Sequence, residues 1–130
     1  MLKYKVVTRL NPKTDATLYA AQLVPVNPVD EEQFASMIAE HCSMTQADVR
    51  AVLESFTKNV TRFMRNGNSV KLDGLGTFWA NIKAKSTKRL EEFSDANIEG
   101  LKMVFRPDAL IYKHLQKSNP LLRFQRVNNE

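Results

Sequence analysis

Six cations between residues 83 and 106 are spaced for contact with a polyanion. Lys83, Lys85, Lys88 and Arg89 fall within seven residues, and Lys102 and Arg106 follow four apart. In a strand Lys83 and Lys85 share a face with Asn81 and Trp79, because successive side chains alternate between the two faces. Lysine and arginine there suit phosphate neutralisation, and an indole such as Trp79 suits stacking on a base. The same residues also make an ordinary solvated strand and loop, with Trp79 packed across strands.

No other constellation has comparable chemistry. Cys42 beside His41 is the one nucleophile–base pair worth naming, but neighbours on a helix point about 100° apart, so Cys42 reads as a small apolar residue at a helix end. Neither His41 nor His114 has a Cys, Asp or His at ligand spacing, and no metal site is expected. No Ser/His/Asp order, phosphate loop or paired-carboxylate motif sits in matching structure, so the expectation is a non-enzyme with no cofactor and no small-molecule substrate. A single cysteine allows no intramolecular disulfide, which agrees with a reducing compartment.

The elements that must position these residues come from a chain of 130 residues, 43% hydrophobic, near the commonest size of one domain. Its apolar stretches fall far short of the roughly 20 residues that cross a bilayer, and Met1-Leu2-Lys3-Tyr4-Lys5 lacks a signal-like apolar region. No membrane contact and a cytoplasmic location are expected. The net charge of +5 favours polyanionic partners. It is unevenly spread, because residues 29–66 are net −2 whereas 1–28 are net +3, 79–106 net +2 and 107–130 net +2.

Tyr4 to Leu10 alternates as a strand, Asn11-Pro12-Lys13-Thr14-Asp15 carries turn chemistry, and Leu18 to Val24 returns as a second strand. Residues 1–28 thus read as a β-hairpin extension. Acidic Asp30, Glu31 and Glu32 open a short helix carrying Phe34, Met37, Ile38 and His41. Thr45-Gln46-Ala47-Asp48 opens a longer one, with Val49, Val52, Leu53, Phe56, Val60, Phe63 and Met64 on one face, ending at Asn66-Gly67. Strands are expected at Ser69–Leu72, Thr77–Lys85 and Ile98–Phe105, with a polar arm of mixed charge between the last two. Pro107-Asp108 suits the first turn of a last short helix containing Leu110, Ile111, His114 and Leu115. The tail 118–130, with Leu121, Leu122, Phe124 and Val127, is too apolar for plain disorder and too short for a domain.

From about Val29 to Lys117 this order resembles the HU and integration host factor family of bacterial histone-like proteins. Ser69-Val70-Lys71-Leu72-Asp73-Gly74-Leu75-Gly76-Thr77-Phe78 is similar to that family's signature segment, and Val104-Phe105-Arg106-Pro107 to the strand end that follows its arm. The extra hairpin makes the whole chain similar to a longer HU-like variant. The resemblance implies an α+β HU-like fold over 29–117: two N-terminal helices, a three-stranded antiparallel sheet with an extended β-arm, a short C-terminal helix and an intertwined homodimer. It implies that Phe56, Val60, Phe63, Phe78 and Phe105 are core or dimer-interface residues. It also implies that Asn81, Lys83, Lys85, Lys88, Arg89, Lys102 and Arg106 face double-stranded DNA in a nucleoid-associated, sequence-independent binder. Members of the family lay a pair of β-arms, one from each subunit, along the DNA minor groove.

This sequence departs from the family at the arm tip. The family usually has Arg-Asn-Pro there, whose proline wedges between base pairs, but no proline lies between Trp79 and Arg106, and Glu91, Glu92 and Asp95 stand among the arm residues. Strong kinking is therefore not expected unless Leu90 or Phe93 replaces the wedge. The alternative is an HU-like dimer that uses its sheet, hairpin or tail to bind protein or scaffold an assembly.

Overall fold

A computed structural model describes residues 1–128; the last two residues of the tail, Asn129 and Glu130, lie outside the described residues. In chain order the elements are β1 (Leu2–Leu10), β2 (Thr17–Leu23), α1 (Glu31–Glu40), α2 (Gln46–Arg65), β3 (Val70–Leu72), β4 (Gly76–Ala84), β5 (Ile98–Pro107), α3 (Ala109–His114) and β6 (Phe124–Arg126). They group into two compact units, Met1–Pro28 with Lys113–Glu130, and Val29–Tyr112.

The first, the hairpin unit, is a three-stranded sheet in the order β2-β1-β6. Its turn closes on Asn11, whose N–H donates to the Ala16 carbonyl at 2.9 Å and whose side-chain oxygen accepts from the Lys13 N–H at 3.0 Å. Asp15 takes a positive φ of 52°, which a short polar residue tolerates. The apolar tail residues have a specific place here: Phe124–Arg126 pairs parallel with β1, setting Phe124 beside Leu2 and Arg126 beside Tyr4. The tail thus falls in the same compact unit as the hairpin, together with the chain from Lys113 onward. Tyr4, Ala21, Leu23, Phe124 and Lys117 line a shallow cavity of about 460 Å³.

The second, the central unit, begins with two capped helices. Asp30 accepts from the Gln33 N–H at 2.8 Å while the Gln33 side chain accepts from the Asp30 N–H, and Thr45 and Asp48 repeat this reciprocal box on α2. Gly67, with φ of 83°, ends α2 by returning its N–H to the Met64 carbonyl at 3.0 Å. The sheet order is β3-β4-β5, all antiparallel. Asp108 ties the β3–β4 turn by accepting from the Gly74 N–H at 2.8 Å and donating its own N–H to the Leu75 carbonyl at 3.0 Å. Gly76 is buried with φ of +151°, and a Cβ there would strike the Arg106 carbonyl oxygen and the Phe105 ring. Only glycine lets β4 approach β5 so closely.

Two expected boundaries shift. Pro107 is the last residue of β5 instead of the first turn of α3, because it pairs opposite Gly76, and Leu115 lies beyond the six-residue helix. The arm is a two-stranded ribbon only as far as Ala84 opposite Ile98; the connection from 85 to 97 folds into 3₁₀ turns at Leu90–Glu92 and Asp95–Asn97. Ser94 and Asn97 cap one another there, which favours a compact turn over continued pairing.

The central unit's apolar side chains outnumber the partners one chain supplies. Among the described residues only Ala35, Val49, Val60 and Met64 are buried hydrophobics, all from the helices. Phe78 joins α2 to the sheet, edge-on to Phe56 at 6.1 Å and tilted against Phe105 at 4.7 Å. Yet Phe56, Phe63 and Phe105 remain 36%, 48% and 41% exposed, and Ile82, Leu101 and Met103 on the same sheet face are more than half exposed.

Candidate nucleic-acid interface

The two faces of the β4/β5 ribbon differ sharply. Register pairs Phe78 with Phe105, Ala80 with Met103 and Ile82 with Leu101 on the apolar face. The other face carries Thr77 with Arg106, Trp79 with Val104, Asn81 with Lys102 and Lys83 with Gly100. Antiparallel pairing therefore turns residues distant in sequence into rows a few ångströms across. Beyond Phe78 the third strand ends, so from Trp79 to Ala84 the ribbon is two-stranded and about 20 Å long.

Of the seven expected contact residues, Asn81, Lys83, Lys102 and Arg106 share this polar face. Arg106 lies over the Trp79 ring, 5.6 Å from its centroid. Lys85 follows the end of β4, its N–H donating to the Asn97 carbonyl at 2.9 Å. Lys88 and Arg89 sit in the connection, exposed, beside Leu90. The row also gains a residue outside the expected set: Lys71 of β3 pairs with Thr77, which pairs on its other side with Arg106. Alternation within Ser69–Leu72 already put Lys71 opposite in facing to Val70 and Leu72, but only the register aligns it with Arg106.

Acidic groups temper the ribbon. A bulge between Lys83 and Ala84 leaves Glu99 unpaired in the ladder, and its carboxylate approaches the Lys83 ammonium at 3.8 Å. Both side chains are substantially exposed, so the pair is worth no more than about 1 kcal/mol and yields readily to a phosphate. At the far end, Leu90 is 90% exposed and Phe93 43%. His41 caps α1, its Nδ1 donating to the Met37 carbonyl at 2.8 Å, while Cys42 is exposed. Among the described residues no group of His, Cys, Asp and Glu is arranged for a metal ion, and no helix is long and apolar enough to cross a membrane.

The profile of a family described as an HU domain fused to a wHTH, Ig or glycine-rich motif, HU-HIG, matches residues 1–123. The chain belongs to this HU-HIG family. The DNA-binding protein HU-alpha of Escherichia coli is 33% identical over 61 residues, covering 47% of this chain and 68% of that protein; HU-alpha of Vibrio proteolyticus is 34% identical over the same extent. A crystal structure of a putative bacterial DNA-binding protein from Bacteroides vulgatus superposes with a TM-score of 0.66 at 17% identity, covering 97% of this chain. The chain spans 47% of that protein's length. An Anabaena HU–DNA cocrystal structure gives a TM-score of 0.52 at 19% identity, covering 68% of this chain and 99% of that one. These likenesses show an α+β HU-like fold.

Proposed function

We propose that this HU-HIG chain is a non-enzymatic, nucleoid-associated architectural protein of the cytoplasm, which binds double-stranded DNA as a homodimer without regard to sequence. The observation that carries the reading is the polar face of the sheet and its two-stranded ribbon, where Lys71, Arg106, Lys102 and Lys83 share a face with Trp79 and Asn81. Lysine and arginine neutralise phosphates and release counterions, which supplies affinity but little base discrimination. Lys85, Lys88 and Arg89 extend the cations into the arm. The HU–DNA cocrystal neighbour supports the same assignment by fold.

The exposed apolar face supports the dimer. Phe56, Phe63, Ile82, Leu101, Met103 and Phe105 are each more than a third exposed, and interlocking with a second copy would bury them. The acidic connection and the Glu99–Lys83 pair favour a second reading, in which the dimer binds DNA weakly and serves as a protein-interaction module.

Titration of unrelated duplexes across a range of salt separates these readings. The DNA-binding reading expects similar affinity for every sequence and a steep fall with salt. A difference above about a thousandfold between duplexes, the scale of specific recognition, would overturn the sequence-independent reading, and failure to retain duplex at moderate salt would favour the module.

A further inference from the structure

The chain's positive charge is not where the arm reading alone would put it. The hairpin unit, residues 1–28 with 113–130, holds eight Lys and Arg against two Asp and Glu, net +6. The central unit holds eleven against twelve, net −1. The whole surplus of +5 thus resides in the smaller unit. None of its strands contains an acidic residue, and its only carboxylate side chain among the described residues is Asp15, in the turn.

Alternation gathers three of these charges on one face, while Arg126, beside Tyr4, falls on the other. On β1, Leu2, Tyr4 and Val6 share a face with Ala21, Leu23 and Phe124 of the neighbouring strands, while Lys3, Lys5 and Arg9 occupy the opposite face, with Val7 opposite Ala20 between the last two. The neighbours there are neutral: Gln125 beside Lys3, Gln22 beside Lys5 and Leu18 beside Arg9. Lys3 and Arg9 are exposed, Lys5 is half-exposed, and no ion pair engages any of the three among the described residues. Residues two apart on a strand are separated by about 6.8 Å, so the row spans about 20 Å from Lys3 to Arg9. Three unpaired cations spread along one strand, with amide donors beside them, fit an extended charged backbone better than a single anion.

We propose that this face of the hairpin unit is a second phosphate-contacting surface for duplex DNA, centred on Lys3, Lys5 and Arg9. The choice of DNA among polyanions rests on the function proposed above; the cationic row itself does not. The surface belongs to a different unit from the arm, and it supplies a large share of the salt-dependent term.

The test uses the full-length protein, a fluorescent duplex of random sequence and several salt concentrations, with two variants beside the parent. Lys3→Gln with Lys5→Gln and Arg9→Gln should lower the slope of log affinity against log salt by about 2 to 3. Circular dichroism and sedimentation should stay unchanged. The charge-keeping set Lys3→Arg, Lys5→Arg and Arg9→Lys should retain the parent slope, which a packing role would not. An unchanged slope in the Gln triple overturns the proposal, as does an equal loss in the charge-keeping set. So does a parent that ignores duplex but binds RNA, anionic vesicles or an acidic peptide. If Lys83→Ala with Lys85→Ala changes nothing while the Gln triple does, the arm surface fails and the hairpin surface stands.

Discussion

At the residue scale, Lys83, Lys85, Gly76 and Leu90 make the sharpest claims. Lys83→Ala with Lys85→Ala should weaken binding to any duplex alike and reduce the salt slope by about two, measured by anisotropy titration. Tight binding by that double variant would remove the ribbon from the interface. Gly76→Ala forces a Cβ onto the Arg106 carbonyl and the Phe105 ring at a positive φ, so urea unfolding should show a loss of about 2 to 4 kcal/mol. Leu90, 90% exposed next to Arg89, is better placed than Phe93 to reach a base step. Without a proline wedge, less bending than the family norm is expected from energy transfer between duplex ends. Strong bending that disappears in Leu90→Ala would show that leucine has taken over the wedge.

At the element scale, the connection from 85 to 97 and the start of α2 can be tested independently. Because Glu91, Glu92 and Asp95 follow the cations, positive potential concentrates on the ribbon and the first residues of the connection. Deleting Glu91 to Ala96 and bridging with Gly should leave duplex affinity unchanged or higher; a clear loss would place a contact in the tip. Helix α2 depends on its reciprocal cap, in which Thr45 accepts from the Asp48 N–H at 3.1 Å. Thr45→Ala should cost about 1 kcal/mol in chemical denaturation.

At the scale of the whole molecule, the deciding quantity is how little one chain buries. With only four buried hydrophobics among the described residues, an isolated folded chain would have to leave Phe63, Leu101 and Met103 in water. Sedimentation should find a homodimer at micromolar concentration, with unfolding that depends on protein concentration. A stable folded monomer would contradict it. Much of the architecture was legible beforehand. Thr45 caps where its residue type and the Asp48 partner require, and Val49, Val60 and Met64, the buried residues of α2, all lie on the apolar face that three-and-four spacing marks out. Alternation from Thr77 to Lys83 likewise separates the Phe78 face from the Trp79 face, because these patterns follow from local backbone geometry alone.

What only the tertiary structure decided depends on pairing between distant segments. Three residues, Phe124 to Arg126, carry too little periodicity to announce a strand, and their place beside Leu2 to Tyr4 comes from hydrogen bonds offered by the free edge of β1. Lys71 joins Arg106 through the register on Thr77, and Glu99 meets Lys83 because a bulge shifts that register by one residue. The same contacts gather both ends of the chain into one basic unit. Alternation and capping are properties of neighbouring residues, so the sequence by itself determined the elements and their faces; register and strand order arise between segments far apart along the chain, so only the folded chain decided which charges stand together.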